Sequence, residues 1–163
     1  MSNNLTIRRL DTVTDTALYQ QAYQWTANAP RWLRDCAKTF EAADEAAYLA
    51  AVTNPARIDI GVFTPEFTGM ISVILRGKQL YEAYLAAPRG STLDTLGAAT
   101  LSVYHRLTAY GMKQTFVWIA ARNRAILDLC EGVGFERTGL EMWKGQSHGR
   151  PIHWRQMAIY GAH

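Results

Sequence analysis

Short segments of the chain either alternate apolar and polar residues, which is the pattern of half-buried β-strands, or form brief apolar runs rich in β-branched residues, which is the pattern of buried ones. The clearest case begins at Arg57, after which every second residue from Ile58 to Val62 is aliphatic. Turn-forming glycine and proline residues separate several of these segments, so the pattern predicts a sheet of about seven strands. The predicted strands are residues 5–10, 57–63, 70–75, 80–87, 115–120, 137–144 and 151–160.

Other parts of the chain have a helical period, with apolar residues three and four positions apart. This spacing predicts helices over residues 17–27, 32–38 and 41–52, and two more that end at Gly111 and Gly134. Glycine adopts the left-handed conformation that ends many helices, so both positions are natural helix stops. Asn123 is a suitable N-cap for the last helix.

The longest predicted helix connects strand 80–87 to strand 115–120. A helical crossover between two strands of one sheet makes them parallel neighbours, and most of the other strands are expected to pair antiparallel. The expected fold is therefore α/β (α+β), one domain over residues 1–163 with a mixed, mostly antiparallel twisted sheet. Helices are expected on both faces of this sheet.

Length and composition are those of an ordinary globular domain, because 163 residues suffice for one hydrophobic core. The formal net charge of +3 mildly favours anionic partners and does not by itself indicate nucleic acid. Cys36 and Cys130 are far apart in sequence, which favours a reduced protein. The polar N-terminus and the absence of a long apolar run predict a soluble cytoplasmic protein without a membrane segment.

No metal site is expected, because the spacing of His148 and His153 fits no common ligand motif. The default interpretation places both histidines on a surface hairpin. Serine-hydrolase chemistry is not indicated either, since no nucleophile elbow is present.

The segment TFVWIAARNRAILDLCEGVGFERTG, residues 115–139, resembles the GNAT superfamily of N-acetyltransferases, as does the order of elements. Asn123, Gly134 and Phe135 match that family's pattern of an asparagine followed by Y-x-x-x-G-F. The final segment HGRPIHWRQMAIY resembles the branch that acetylates ribosomal proteins and N-terminal amines. Family members use acetyl-CoA, so the resemblance implies that cosubstrate here.

The resemblance also implies a cleft in which the two parallel strands splay apart, here near Ala87 and Ala120. The pantetheine arm of acetyl-CoA would pair with the backbone of Leu85, Ala86 and Ala87. A primary amine, from a protein N-terminus, a lysine or a small molecule, would attack the thioester directly in a ternary complex. The final hairpin, with Trp143 and Trp154, would help to shape the acceptor site.

The family's phosphate-binding loop is degenerate in this chain, where the stretch is PRGSTLDTLGAA. The resemblance implies phosphate contacts from Arg89, Thr95 and Gly97. An alternative is that Ser91 and Asp94 form a capping box, which would satisfy the backbone N–H groups of the helix start. Both interpretations remain open at this point.

Three residues are candidates for proton transfer. Glu82 lies near the start of the splayed strand, where the resemblance implies a base, and Asp59 is a second candidate. The alternative for Glu82 is a solvated strand carboxylate. Cys130 occupies the position of the family's tyrosine acid, and the alternative is simple packing in the core. Asn123 would contact pantetheine, cap its helix, or do both.

The leading functional hypothesis is an N-acyltransferase that uses acetyl-CoA and a primary amine. The alternative is a catalytically inactive relative that keeps the fold as a binding or assembly module, as the capping box and Cys130 would suggest. A nucleic-acid-associated protein is a third hypothesis, for which only the excess of arginine argues. A homodimer is an additional hypothesis about partners.

Overall fold

The computed structural model describes residues 5–27, 44–87, 103, 105–109, 111–122, 124–147 and 149–161. These residues contain one sheet of seven strands, as predicted, in the spatial order β1-β2-β3-β4-β5-β7-β6. Some strands extend beyond their apolar part, because ladder pairing continues into the hairpins. The strands are β1 (Thr6–Arg9), β2 (Arg57–Phe63), β3 (Phe67–Gly77), β4 (Leu80–Ala86), β5 (Gln114–Ala120), β6 (Glu136–Ser147) and β7 (Arg150–Tyr160).

The described helices are α1 (Thr16–Ala27), α2 (Glu45–Ala51), α3 (helical residues 103 and 105–109) and α4 (Arg124–Val133). Asp44 caps α2, because its carboxylate accepts a hydrogen bond from the backbone N–H of Ala47 at 2.8 Å. The predicted helix over residues 32–38 lies outside the described residues. Among the described helices, none combines the length and the apolar character needed to cross a membrane.

Both predicted glycine stops are confirmed. Gly134 has φ +115°, and the next N–H, of Phe135, donates to the carbonyl of Cys130 at 2.9 Å. Gly111 has φ +84° and ends α3 in the same way, with the N–H of Met112 bound to the carbonyl of Leu107 at 3.0 Å. These bonds satisfy helix carbonyls that would otherwise lack a partner, and side chains disfavour the left-handed backbone they require.

Helices cover both faces of the sheet, as expected. On one face, here called the α3/α4 face, α3 packs against β2 and β3, and α4 packs against β5 and β7. On the other, the α1/α2 face, α1 and α2 pack against Met70 of β3 and Ala86 of β4. Because side chains alternate along a strand, neighbouring residues of β4 serve opposite faces.

A buried ion pair lies in the part of the sheet next to α1 and α2. The side chains of Arg57 and Asp59 are only 1% and 2% exposed, and Arg57 Nε lies 2.8 Å from Asp59 Oδ1. Asp59 also accepts hydrogen bonds from Ser72 Oγ at 2.6 Å and from Tyr19 OH at 2.8 Å. Burial and the adjacent Asp59 carboxylate raise the pKa of Tyr19 well above its usual range. The network therefore ties α1 to β2 and β3.

We expect Asp59→Asn to lower the free energy of unfolding by roughly 3–5 kcal/mol, because the guanidinium of Arg57 would remain buried without its counter-charge. Urea unfolding followed by circular dichroism measures this loss. Glu141→Gln is the control, since Glu141 pairs with Arg155 at 3.2 Å on the surface and its side chain is 48% exposed. That variant should lose no more than about 1 kcal/mol. Equal losses in the two variants would contradict a stabilising role for the buried network.

Candidate functional site

The parallel strands β4 and β5 pair over only three positions, the last of which joins Glu82 to Phe116. Beyond this point β4 stays paired with β3 as far as Ala86, and β5 stays paired with β7 as far as Ala120. Residues 83–86 and 117–120 therefore form the two arms of an opening, here called the fork. The predicted parallel pairing is confirmed. The strands were expected to separate near Ala87 and Ala120. They separate earlier along the chain, directly after the pair of Glu82 and Phe116, and from there each strand pairs with its antiparallel neighbour alone.

The arm of the fork formed by β4 carries the backbone predicted to bind pantetheine. Ala86 is the last residue of β4, and Ala87 follows it; both are buried. No described strand pairs with the β5-facing edge of β4 beyond Glu82. An open strand edge presents N–H and C=O groups to a ligand, which is the property that the predicted contacts at Leu85, Ala86 and Ala87 require.

Glu82 lies at the closed end of the fork and is held by two neighbours. Its Oε1 is 2.9 Å from Arg76 Nε, 2.8 Å from Arg76 Nη2 and 2.5 Å from the phenol oxygen of Tyr84. No described residue donates a hydrogen bond to Oε2. The solvated-carboxylate alternative is wrong, because Glu82 is only 6% exposed. Oε2 is thus the oxygen that could accept a proton from a substrate.

Sequence reasoning missed Arg76 and Tyr84 as partners of Glu82. Tyr84 is two residues from Glu82 on the same face of β4, and Arg76 approaches from β3 across the hairpin, with its Nη2 2.9 Å from Tyr84 OH. Burial, and then the hydrogen bond to Glu82, raise the pKa of Tyr84 to about 12. The phenol is therefore protonated at neutral pH and remains a donor. The sequence signal for this pair was the spacing of two residues between Glu82 and Tyr84, which puts both side chains on one face of a strand.

Asp59, the second candidate base, lies on the same sheet face and is engaged by Arg57, Ser72 and Tyr19. Its exposure is 3%, and all three contacts come from side chains that are themselves buried. The geometry therefore assigns it to the network that anchors α1, and Glu82 is the carboxylate at the fork.

Cys130 lies on α4, on the face of the sheet opposite to Glu82. It is half-buried and packs against the apolar cluster that includes Ile126 and Phe135. Burial raises the pKa of its thiol to about 12, and the neighbouring Glu131 acts in the same direction. The packing interpretation is consistent with this environment. The proton-donor role of Cys130 stays a prediction, and a thiol with so high a pKa is a weak acid.

The remaining predicted contacts lie outside the described residues. They are Arg89, Thr95, Gly97 and Asn123, together with the capping residues Ser91 and Asp94 and the hairpin residue His148. The phosphate-binding and capping interpretations of the helix start therefore both stay predictions. Among the described residues, no cluster of three or more histidine, cysteine, aspartate or glutamate side chains could hold a metal ion.

The two tryptophans of the final hairpin have different environments. Trp143 is 67% exposed and stacks on His153, with ring centroids 4.6 Å apart. Trp154 is buried, and its indole N–H donates to the carbonyl of Lys144 at 2.9 Å. Trp154 pairs with Ala120, the last residue of β5, so it is the tryptophan that lies beside the open end of the fork.

No protein-family model and no curated protein matches this sequence. Solved structures do match the fold. Spermidine N-acetyltransferase from Vibrio cholerae, described in a dodecameric structure, superposes with a TM-score of 0.75 at 16% identity, covering 98% of this chain and 95% of that one. Ribosomal-protein-S18-alanine N-acetyltransferase from Escherichia coli gives a TM-score of 0.73 at 16% identity, with 96% and 93% covered.

A third structure is YncA of Salmonella typhimurium, a proposed acetyltransferase solved with its cofactor acetyl-CoA. It superposes with a TM-score of 0.73 at 20% identity, and the match covers 97% of this chain and 94% of that one. At these identities the similarity establishes the fold. The chain therefore has the fold of the GNAT acetyltransferases, as the sequence resemblance implied.

We expect the Cys130 thiol to react slowly with iodoacetamide in the folded protein. In a Cys36→Ser variant, the rate at pH 8 should be at least about a hundredfold below that of the same protein in urea, because little thiolate is present when the pKa is near 12. Mass spectrometry of the alkylated protein measures both rates. Comparable rates in the two states would show an accessible, acidic thiol, which would favour the proton-donor role.

Proposed function

We propose that the protein is an N-acyltransferase that transfers an acetyl group from acetyl-CoA to a primary amine by direct attack in a ternary complex. The fork is the observation that carries the proposal. Two parallel strands separate after three paired positions, and a buried carboxylate lies at the point of separation. An enzyme of this kind needs an extended binding edge for the acyl donor and a proton acceptor beside it.

The open edge of β4 fits the acyl donor in two respects. Its backbone groups beyond Glu82 have no strand partner among the described residues, so they can pair with the amide groups of pantetheine. A backbone N–H on the same edge would stabilise the oxyanion that develops on the thioester carbonyl. Arg89, Thr95 and Gly97 are proposed to contact the phosphates, on the basis of sequence alone.

Glu82 is the proposed base. An alkylammonium ion is not a nucleophile, so the amine must lose a proton before or during attack. Oε2 of Glu82 would take that proton, directly or through a water molecule, while Arg76 and Tyr84 hold Oε1 in place. The new C–N bond forms as the C–S bond breaks, and CoA leaves as a thiolate. Cys130 is the proposed donor to that thiolate.

Two of the structural neighbours support an amine as acceptor, since their names state spermidine and the alanine of a ribosomal protein. A protein N-terminus, a lysine and a small amine all remain candidate acceptors for this chain. A homodimer and a cytoplasmic location also remain predictions.

The second proposal is a non-catalytic relative that keeps the fold as a binding or assembly module. Cys130 favours it, because the residue at the family's tyrosine position packs in an apolar cluster. The capping box at Ser91 and Asp94 would act in the same direction by occupying the N–H groups that bind phosphate. Measurement of acetyl-CoA binding separates the two proposals.

We expect acetyl-CoA at about 100 times its Kd to raise Tm by roughly 5–10 °C, because such a ligand stabilises the folded state by about 2.7 kcal/mol. Differential scanning fluorimetry measures the shift, and calorimetry measures Kd. Sodium pyrophosphate at equal ionic strength is the control and should give a much smaller shift. If millimolar acetyl-CoA gives neither a shift nor heat, the enzyme proposal fails and the non-catalytic module is favoured.

We expect Glu82→Gln to lower kcat by roughly 10²–10⁴-fold near neutral pH, the range for loss of a general base. The deficit should shrink as pH approaches the pKa of the amine, about 10, because free amine then needs no base. Release of CoA thiol, with spermidine, an N-terminal alanine peptide and a lysine peptide as acceptors, measures the rate.

Glu136→Gln, at an exposed carboxylate of β6, is the matched control and should keep full activity. Both variants should retain the Tm shift with acetyl-CoA, which shows that they fold and bind. A Glu82→Gln enzyme with unchanged kcat would exclude Glu82 as the base and leave the acyl-transfer proposal intact.

A further inference from the structure

An apolar cavity of about 20 Å³ lies between the sheet and α3. Side chains of β3, β4, β5 and β7 form its floor, and side chains of α3 together with Phe135, two residues after α4, complete the walls. We call it the fork cavity. The residues that matter for its position and chemistry are Val73, Ala83, Leu107 and Thr115.

The fork cavity lies at the closed end of the fork. Ala83 is the first residue of β4 beyond the last β4–β5 pair, and Thr115 immediately precedes Phe116, the last paired residue of β5. Val73 pairs with Ala83 in the β3–β4 ladder. Ala83 follows Glu82 directly, so the cavity and the Glu82 carboxylate lie on opposite faces of one strand at the same level of the sheet.

The lining cannot bind water well. Thr115 supplies the polar side chain of the described lining, and its hydroxyl donates to Met112 Sδ. A cavity of this volume has room for about one water-sized group, and apolar cavities of such size stay dry. A methyl group has that size and needs no hydrogen bond, so it matches both the volume and the chemistry of the cavity.

We propose that the fork cavity receives the terminal methyl group of the acyl chain and thereby selects acetyl-CoA over longer acyl-CoAs. The inference rests on the proposed acyl transfer, because the thioester must lie in the fork for its methyl group to enter. Val73 and Ala83 are then specificity-determining residues. Val73 is buried and lines the cavity on the β3 side.

The test compares kcat/KM for acetyl-, propionyl- and butyryl-CoA in matched valine variants. Val73→Ala enlarges the fork cavity by two methyl groups. Val62→Ala removes the same atoms from the same apolar cluster at a residue that is equally buried and does not line the cavity. Leu107→Ala enlarges the cavity from the helix side and serves as a second variant should Val73→Ala fail to fold.

We expect the native protein to prefer acetyl-CoA to butyryl-CoA. Val73→Ala and Leu107→Ala should raise the ratio of butyryl to acetyl kcat/KM by on the order of tenfold, since each added methylene that is buried contributes roughly fourfold. Val62→Ala should change the ratio by less than about twofold even if it lowers Tm as much. Tm shifts with each acyl-CoA give a second readout that needs no turnover.

The inference is overturned if the native protein uses butyryl-CoA as well as acetyl-CoA, or if Val62→Ala and Val73→Ala change the ratio equally. In those cases acetyl transfer itself is observed, so the proposed function stands. If no acyl-CoA binds or reacts, the proposed function fails first and this inference fails with it.

Discussion

The three-residue parallel pairing of β4 with β5 is the constraint on which the rest of the site depends. Each of these strands has an antiparallel partner that it follows for its full length. Hydrogen bonding between β4 and β5 therefore ends at Glu82 and Phe116, although both strands continue. The result is an exposed backbone edge inside an otherwise complete sheet, which is costly unless solvent or a ligand pairs with it.

Each arm of the fork is supported by contacts on the side away from the opening. On the α1/α2 face, the network around Asp59 joins α1 to β2 and β3, the strands that support β4. On the other face, α4 and the residues after it pack against β5 and β7. Both outer halves of the sheet are thus held by helices, and the opening lies between them.

The sequence predicts the helices and strands better than it predicts the site. Local patterns determine the helices and strands, whereas contacts between more distant parts of the chain determine the site. Alternating aliphatic residues identify β2, and Gly134 identifies the end of α4, since both signals are local. The environment of Glu82 depends on Arg76 across a hairpin and on Tyr84, and the end of the β4–β5 ladder depends on β3 and β7. Those relations are set by tertiary pairing. The phosphate loop lies outside the described residues, so its two interpretations stay predictions.

The alternation of side chains along β4 gives the proposed chemistry its geometry. Glu82 lies on the α1/α2 face of β4, whereas Ala83, the next residue, lines the fork cavity on the opposite face. A thioester lying against the open edge at this level would have a proton acceptor on one side and a space for its methyl group on the other. The amine would then approach from the α1/α2 face, because the acyl chain would occupy the opposite one. In the proposed direct attack, base, carbonyl carbon and methyl group would be ordered across the sheet by two consecutive residues of one strand.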